Sequence, residues 1–523
     1  MQSGHRSPLH RGFGMPKLIA AALLLLAFGG SLHAQDDEHH AHPVPEKLGA
    51  VTFPTSCAPA LQPAFERAVA LLHSFAYAAS EQAFRDVVTR DPHCAMARWG
   101  IAMSHFHQLW EPPSGDELRD GAEQIRQAAA IGSVSARERQ FIEALGTYYA
   151  DGDKAPPDVR AARYAHAMAE VARSNPDDTE AQIFYALALI ATAPPTDKTH
   201  SNQKQAAAIL EPLFRLQPQH PGLAHYLIHT YDSAEMSPRG LAAAHAYSKI
   251  APSAPHALHM PSHIFTRLGL WEDSIASNQA ARAAAHEHGD LGEELHAMDY
   301  LTYAYLQRGQ YAEAGQIVAA LGSMQDLPAS QFKIGYAATA MPVRLIIERK
   351  AWDKAASLEP LQKSSPQVAA LVFWARALGD TRGGHPRSSD AEIDRLHTCL
   401  LQLQSTGNTY WATQVDVLLK EAQAWQFAAD GKAEAAVALL RASADEEDAV
   451  EKLPVTPGPI VPAREQLGEL LLDQKNPDRA LREFRASLAL APGRRGALVG
   501  AIAAAEQLGD SKTATELRAD LHK

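Results

Sequence analysis

Leu467-Gly468-Glu-Leu-Leu471, followed by Ala480, Phe484 and Pro492, is the stretch whose reading decides the fold. Its large and small apolar residues recur at three- and four-residue steps, which places them on two antiparallel helices. A second unit follows 34 residues later, where Gly509-Asp510 and Ala514 stand at the inter-helix turn and the first small position of the second helix. Upstream, the same punctuation returns as Arg308-Gly309-Gln310-Tyr311 with Ala314, Leu268-Gly269-Leu270-Trp271, Lys350-Ala351-Trp352 with Ala355, and Asp430-Gly431-Lys432 with Ala436. Glycine suits that turn because the first helix must end on a left-handed residue before the second begins. Pro92, Pro218, Pro252 and Pro492 mark the exits of second helices.

On these residues the chain resembles the tetratricopeptide-repeat (TPR) family, and exported bacterial members with a histidine-rich groove in particular. The resemblance covers most of residues 60–523. It implies an all-α, tetratricopeptide-like α-solenoid of antiparallel helix pairs whose first helices line a groove for a peptide or protein partner. The register is irregular between Trp110 and Asn202, and two stretches depart from it: Gly379–Asp390, rich in Gly, Ser and Arg, and Glu451–Pro462, rich in Pro. The expected division is a leader (1–34), an N-terminal extension (35–60), a first solenoid with the histidines (61–378), a linker (379–390) and further repeats (391–523).

Composition agrees with a folded chain. Of 523 residues, 46% are hydrophobic, and 60 Asp+Glu against 48 Lys+Arg give a formal charge of −12. That balance argues against nucleic acid, since nothing would neutralise a phosphate backbone over a long groove. Residues 18–28 form an apolar run behind Lys17 and ahead of Leu32-His33-Ala34. The run is well short of the roughly 20 residues that span a bilayer. It reads as a secretory leader, beginning at Met1 or at Met15. The mature protein is therefore expected in the periplasm or secreted, with no membrane span.

Such a compartment permits a disulfide. Of Cys57, Cys94 and Cys399, the first two each precede an expected helix in one region and are the expected pair; the alternative is three unpaired thiols.

The 25 histidines carry the sharpest pattern. With helices starting near Pro221 and Pro255, His225 and His229 take positions 5 and 9 of one repeat, and His259 and His263 take the same positions of the next. Residues four apart share a helix face, with Cβ atoms about 5–6 Å apart. In the solenoids this chain resembles, those positions face the groove, so the four imidazoles are expected to share one ion. Asp299 and His296 on the third helix, with His256 and Asp232, are expected further ligands or supports. Such donors suit Zn, Cu, Ni or Fe rather than Ca or Mg. The competing reading is that these histidines bond one another, water or a peptide. Pro261 inside this cluster predicts a kink or a restart, unless the helix simply begins at Met260. Met341-Pro342-Val343-Arg344 repeats Met260-Pro261-Ser262-His263, with Arg344 in the place of His263. His73 and His107, also 34 apart, are expected in an aromatic-lined groove with Trp99, Phe106 and Trp110. His39, His40 and His42 read as a solvated tail or a loose metal scavenger.

Catalytic signatures are absent. Tyr226 and Met260 stand where a metalloprotease helix has its glutamate, and there is no nucleophile elbow, C-x-x-C pair or phosphate-binding glycine loop, hence no expected nucleotide cofactor. Glu465 is expected at the surface. The chain reads first as a peptide- or protein-binding scaffold in the cell envelope, possessing or lacking a metal. The alternative is a metal carrier or a metal-dependent hydrolase or oxidoreductase.

Overall fold

The computed structural model describes residues 46–109 and 112–522. The leader, the His39, His40 and His42 tract, and Trp110 lie outside the described residues. Among the described residues there is no strand, and successive helices pack as antiparallel pairs that stack on the next pair. The fold is all-α and tetratricopeptide-like.

Local chemistry sets the helix limits. Ser114 with Glu117, and Ser135 with Glu138, form reciprocal capping boxes. Asp178 and Asp290 cap the starts of Thr179–Ala191 and Leu291–Arg308 with their carboxylates. Pro221, Pro255 and Pro477 each open a helix, where a missing N–H costs nothing. The turns between paired helices use the left-handed conformation as expected: Gly309 has φ +72°, and Lys350 and Lys475 adopt the same region where the repeat lacks glycine. Gly468 serves packing instead. A Cβ there would lie 2.7 Å from the Phe484 ring, so only glycine admits that ring between the two helices.

Pro261 restarts its helix. Pro255–His259 and Pro261–Arg267 form two segments meeting at Met260, where the His263 N–H donates to the Met260 carbonyl three residues back. The helix thus begins at Pro255 and does not wait for Met260. Pro342, by contrast, sits inside the continuous helix Phe332–Glu348.

The N-terminal extension packs on the repeats. The Ala50 N–H donates to the Gln219 carbonyl (2.9 Å), and the Ser253 N–H to the Lys47 carbonyl. This delivers Phe53 into a fully buried ring cluster with Phe65, Trp99 and Phe141. Trp99, expected at a groove, is therefore a core residue. Cys57 and Cys94 are bridged with Cα atoms 4.6 Å apart, while Cys399 is free and buried. At residues 379–390, helix Pro366–Arg382 ends and a short 3-10 turn, Pro386–Ser389, leads into Asp390–Ser405; one apolar cluster runs from Tyr336 to Ala504 on both sides of it. Glu465 is buried against Arg494 (2.8 Å) rather than exposed, because the next repeat covers it. Burial lifts its carboxyl to about 7. No described helix is long and apolar enough to cross a membrane.

Candidate metal centre

Three consecutive first helices carry the histidines: Pro221–Tyr231, the broken helix Pro255–Arg267, and Leu291–Arg308. The first contributes His225 and His229, the second His256, His259 and His263, the third His296. The rings form one array with two trios. In one, His225, His229 and His256 bring a nitrogen each within 4.8 Å of the others; in the other, His259, His263 and His296 do the same. All six side chains are buried. The trios adjoin: the His229 and His263 ring centres are 6.0 Å apart, and those of His256 and His259 6.1 Å. The expectation of four histidines around one ion is thus refined. Each i,i+4 pair gains its own third imidazole, and His256 and His296 complete the trios instead of flanking a single site.

The nitrogens facing inward are set by what the other nitrogens bond. His225 Nδ1–H donates to the His73 carbonyl at 2.6 Å. His256 Nδ1 lies 3.2 Å from Glu293 Oε2, and His263 Nδ1 lies 2.9 Å from Asp232 Oδ2. His259 Nδ1 lies 2.6 Å from Asn278 Oδ1, whose own amide donates to the Ser274 carbonyl and so fixes the oxygen as acceptor. These acceptors each take a proton from Nδ1, which turns Nε2 of each ring inward. Yet His259 Nε2 and His263 Nε2 are 3.0 Å apart, and His225 Nε2 and His256 Nε2 are 3.2 Å apart. His229 Nε2 lies 3.1 Å from His225 Nε2, where an Nε2–H on His229 can donate to it. At the His259–His263 contact two lone pairs face each other, and at such range they repel unless a cation stands between them. Two nitrogens at about 2.0–2.1 Å from one ion, about 100° apart, lie roughly 3.1–3.2 Å from each other. The outer acceptors are the kind that orient metal-ligating imidazoles.

A proton is a poor substitute for that cation. Burial, reinforced by neighbouring imidazoles, holds His225, His229, His259 and His296 well below the usual histidine range. Burial takes His263 down to about 4 even with Asp232 opposing it. Burial works to raise Asp232, but Lys452 and Arg267 outweigh it and hold the carboxyl well below its ordinary value.

Asp299 stands elsewhere. Its Oδ1 accepts from Arg344 Nε at 2.8 Å, both side chains being fully buried, so it is not presented to either trio. Arg344 in turn donates to Thr456 Oγ1 (2.9 Å), the Gly458 carbonyl (3.1 Å) and the Pro459 carbonyl (3.0 Å). These contacts draw the Pro-rich segment Glu451–Pro462 back onto the face that carries the histidines. Lys452 Nζ reaches Asp232 Oδ2 (2.9 Å), and the Tyr300 hydroxyl lies 3.2 Å from the Pro454 and Thr456 carbonyls. The Leu453 N–H donates to the Tyr410 hydroxyl. Beside this segment lie a cavity of about 330 Å³ that reaches His229 and Asp232, and one of about 730 Å³ walled by Phe75, Tyr77, Phe332, Tyr410 and Trp411.

His73 sits behind the first trio. Its Nε2 and that of His220 each lie 2.9 Å from a different oxygen of Glu180, and the Tyr226 hydroxyl lies 2.9 Å from His73 Nδ1. Both imidazoles overcome the effect of burial and keep Glu180 ionised. His107, partly exposed, ends its helix in the left-handed region (φ +50°) and borders both cavities. Neither histidine joins a trio.

No family model matches the chain, and no curated protein does. Among solved structures, the human IFIT1 dimer with m7Gppp-AAAA is similar at 12% identity over 82% of this chain and 89% of that one, with a TM-score of 0.39. The P58(IPK) TPR domain is similar at 12% identity over 87% and 99% (TM-score 0.22), and yeast Tom70 at 11% over 86% and 90% (TM-score 0.29). The repeat reading itself rests on this chain's own stacked helix pairs.

Sequence spacing named all six trio histidines and Asp232. It missed Glu293, Asn278, Glu180, His220, Tyr300 and Lys452. Asn278 lies on a second helix and Lys452 in a loop more than 150 residues beyond the last trio histidine, His296, so no local periodicity connects them to the array.

Proposed function

We propose that this protein binds transition-metal ions at two adjacent three-histidine sites held on the tetratricopeptide-like scaffold. One observation carries the reading: His259 and His263 aim lone-pair nitrogens at each other across 3.0 Å while both outer nitrogens donate to fixed acceptors. The His225–His256 contact repeats the arrangement in the neighbouring trio. Imidazole donors suit Zn, Cu, Ni and Fe. Three protein ligands leave a further position open, as in catalytic zinc sites, so a metal-dependent hydrolase or oxidoreductase is the enzymatic form of the proposal and a metal carrier the other. An exported location belongs to it as well; the Cys57–Cys94 bridge, of a kind that persists in oxidising compartments, supports that part.

A peptide- or protein-binding role would have to work around the segment Glu451–Pro462, which occupies much of the histidine-bearing face. The 730 Å³ cavity is the space it leaves for such a partner.

The test is elemental analysis of tag-free protein after exposure to each metal and desalting. Two ions per chain are expected in wild type and one in His259→Ala. Absence of bound metal under every condition overturns the reading.

A further inference from the structure

We infer that the ions this double site is built for are a pair of monovalent copper ions, Cu(I), one in each trio. The inference rests on the two-site reading above and names its ligand.

The argument is one of charge. All six donors are imidazoles, which bind a metal in their neutral form, and neither trio includes a carboxylate or thiolate. The carboxylates behind the rings offer no spare negative charge. Asp232 is already matched by Lys452 at 2.9 Å and Arg267 at 2.8 Å, and Glu293 by Lys333 at 2.6 Å. Glu451, further out, is matched by Lys198 at 2.6 Å. Any charge carried in by the ions therefore stays uncompensated in a buried space, where ionic charge is most costly.

Mutual repulsion sharpens the choice. The rings of one trio lie as close to those of the other, at 6.0 and 6.1 Å, as His263 and His296 lie within one trio, at 6.3 Å. Coulomb energy scales with the product of the charges, so two dications repel about four times as strongly as two monocations at the same separation. Zinc pairs at such range need an anionic bridge, and no carboxylate stands between these trios. Among the metals imidazole favours, copper is the one stable as a monocation. It also accepts three nitrogen donors without requiring a fourth, and three are what each trio offers.

The test is an anaerobic titration of the full chain with Cu(I) and, separately, with Zn(II), each against a chromophoric chelator of known affinity. Two Cu(I) equivalents are expected per chain. The fall in log affinity from first to second equivalent should be about four times larger for Zn(II) than for Cu(I). Two zinc ions bound with equal affinity, accompanied by proton release as bound water ionises to a bridging hydroxide, would overturn the copper assignment and leave the two-site reading standing. A single Cu(I) equivalent would also overturn it. Uptake of neither metal would overturn both.

Discussion

Arg344 and Asp299 meet at 2.8 Å with neither side chain exposed, and the remaining guanidinium hydrogens hold the segment Thr456–Pro459. Arg344 occupies the repeat position that His263 holds two units earlier. With a guanidinium in the place of that imidazole, helix Phe332–Glu348, which carries no histidine, anchors the covering segment.

Removing one member of that pair leaves a buried charge unmatched. Arg344→Met is expected to cost about 3–5 kcal/mol, and the double variant Arg344→Met/Asp299→Leu much less, because the second change removes the stranded carboxylate. Urea unfolding midpoints of the three proteins check this. Equal losses for single and double variants would contradict it.

His225→Ala and His259→Ala should each lose one equivalent of metal, since each removes the ring central to one trio. The far-ultraviolet dichroism of both should stay helical, because each variant keeps the apolar contacts of its helix pair and loses one polar or ring contact to the second helix, His259 to Asn278 and His225 to Tyr247. Loss of both ions from either single variant would mean that the trios act as one site.

Stability without metal should depend on pH in a defined window. The folded-state values of His225, His229, His259, His263 and His296 lie below the unfolded value of about 6.5. Above that pH both states are neutral and nothing is lost. Below it the unfolded chain takes up protons that the folded chain refuses, so stability falls as pH drops toward about 4, the folded value of His263. Each such histidine contributes up to about 1.4 kcal/mol per pH unit. Metal binding requires the neutral rings and should weaken over the same window. Unfolding curves at pH 7, 6 and 5 on apo protein measure the effect, and a flat profile would refute it.

Lys452 closes the covering segment over Asp232, and burial lowers its amine to about 8 even beside that carboxylate. Lys452→Met removes the tie without touching a metal-facing ring. Metal release to a chelator should accelerate several-fold while stoichiometry stays at two. Unchanged release rates would show that access does not pass this segment.

Reduction of Cys57–Cys94, or its replacement by Cys57→Ala/Cys94→Ala, should cost about 2–4 kcal/mol through the freed N-terminal loop. Metal stoichiometry should not change, since the bridge ties the N-terminal extension to the start of helix Ala95–Phe106 and includes no member of either trio.

Repetition made much of this molecule legible from the amino-acid order. Leu467, Gly468, Ala480 and Phe484 determined a helix pair because apolar spacing and the need for a small residue under Phe484 are local properties. The same register, carried upstream by turn glycines, determined that His225, His229, His259 and His263 share one face. Tertiary structure alone decided the rest. A period of 34 residues aligns faces but does not say how adjacent helices rotate, and that rotation sorted the histidines into two trios with His256 and His296 as full members. It also paired Asp299 with Arg344, which are 45 residues apart, and brought Lys452 onto Asp232 from 220 residues away. Trp99 became core because Phe53, from an extended segment outside the repeat pattern, packs against it. Contacts between elements distant in the chain depend on three-dimensional stacking and on loops that carry no periodicity, and those contacts fixed the protonation, the partners and the cover of the site.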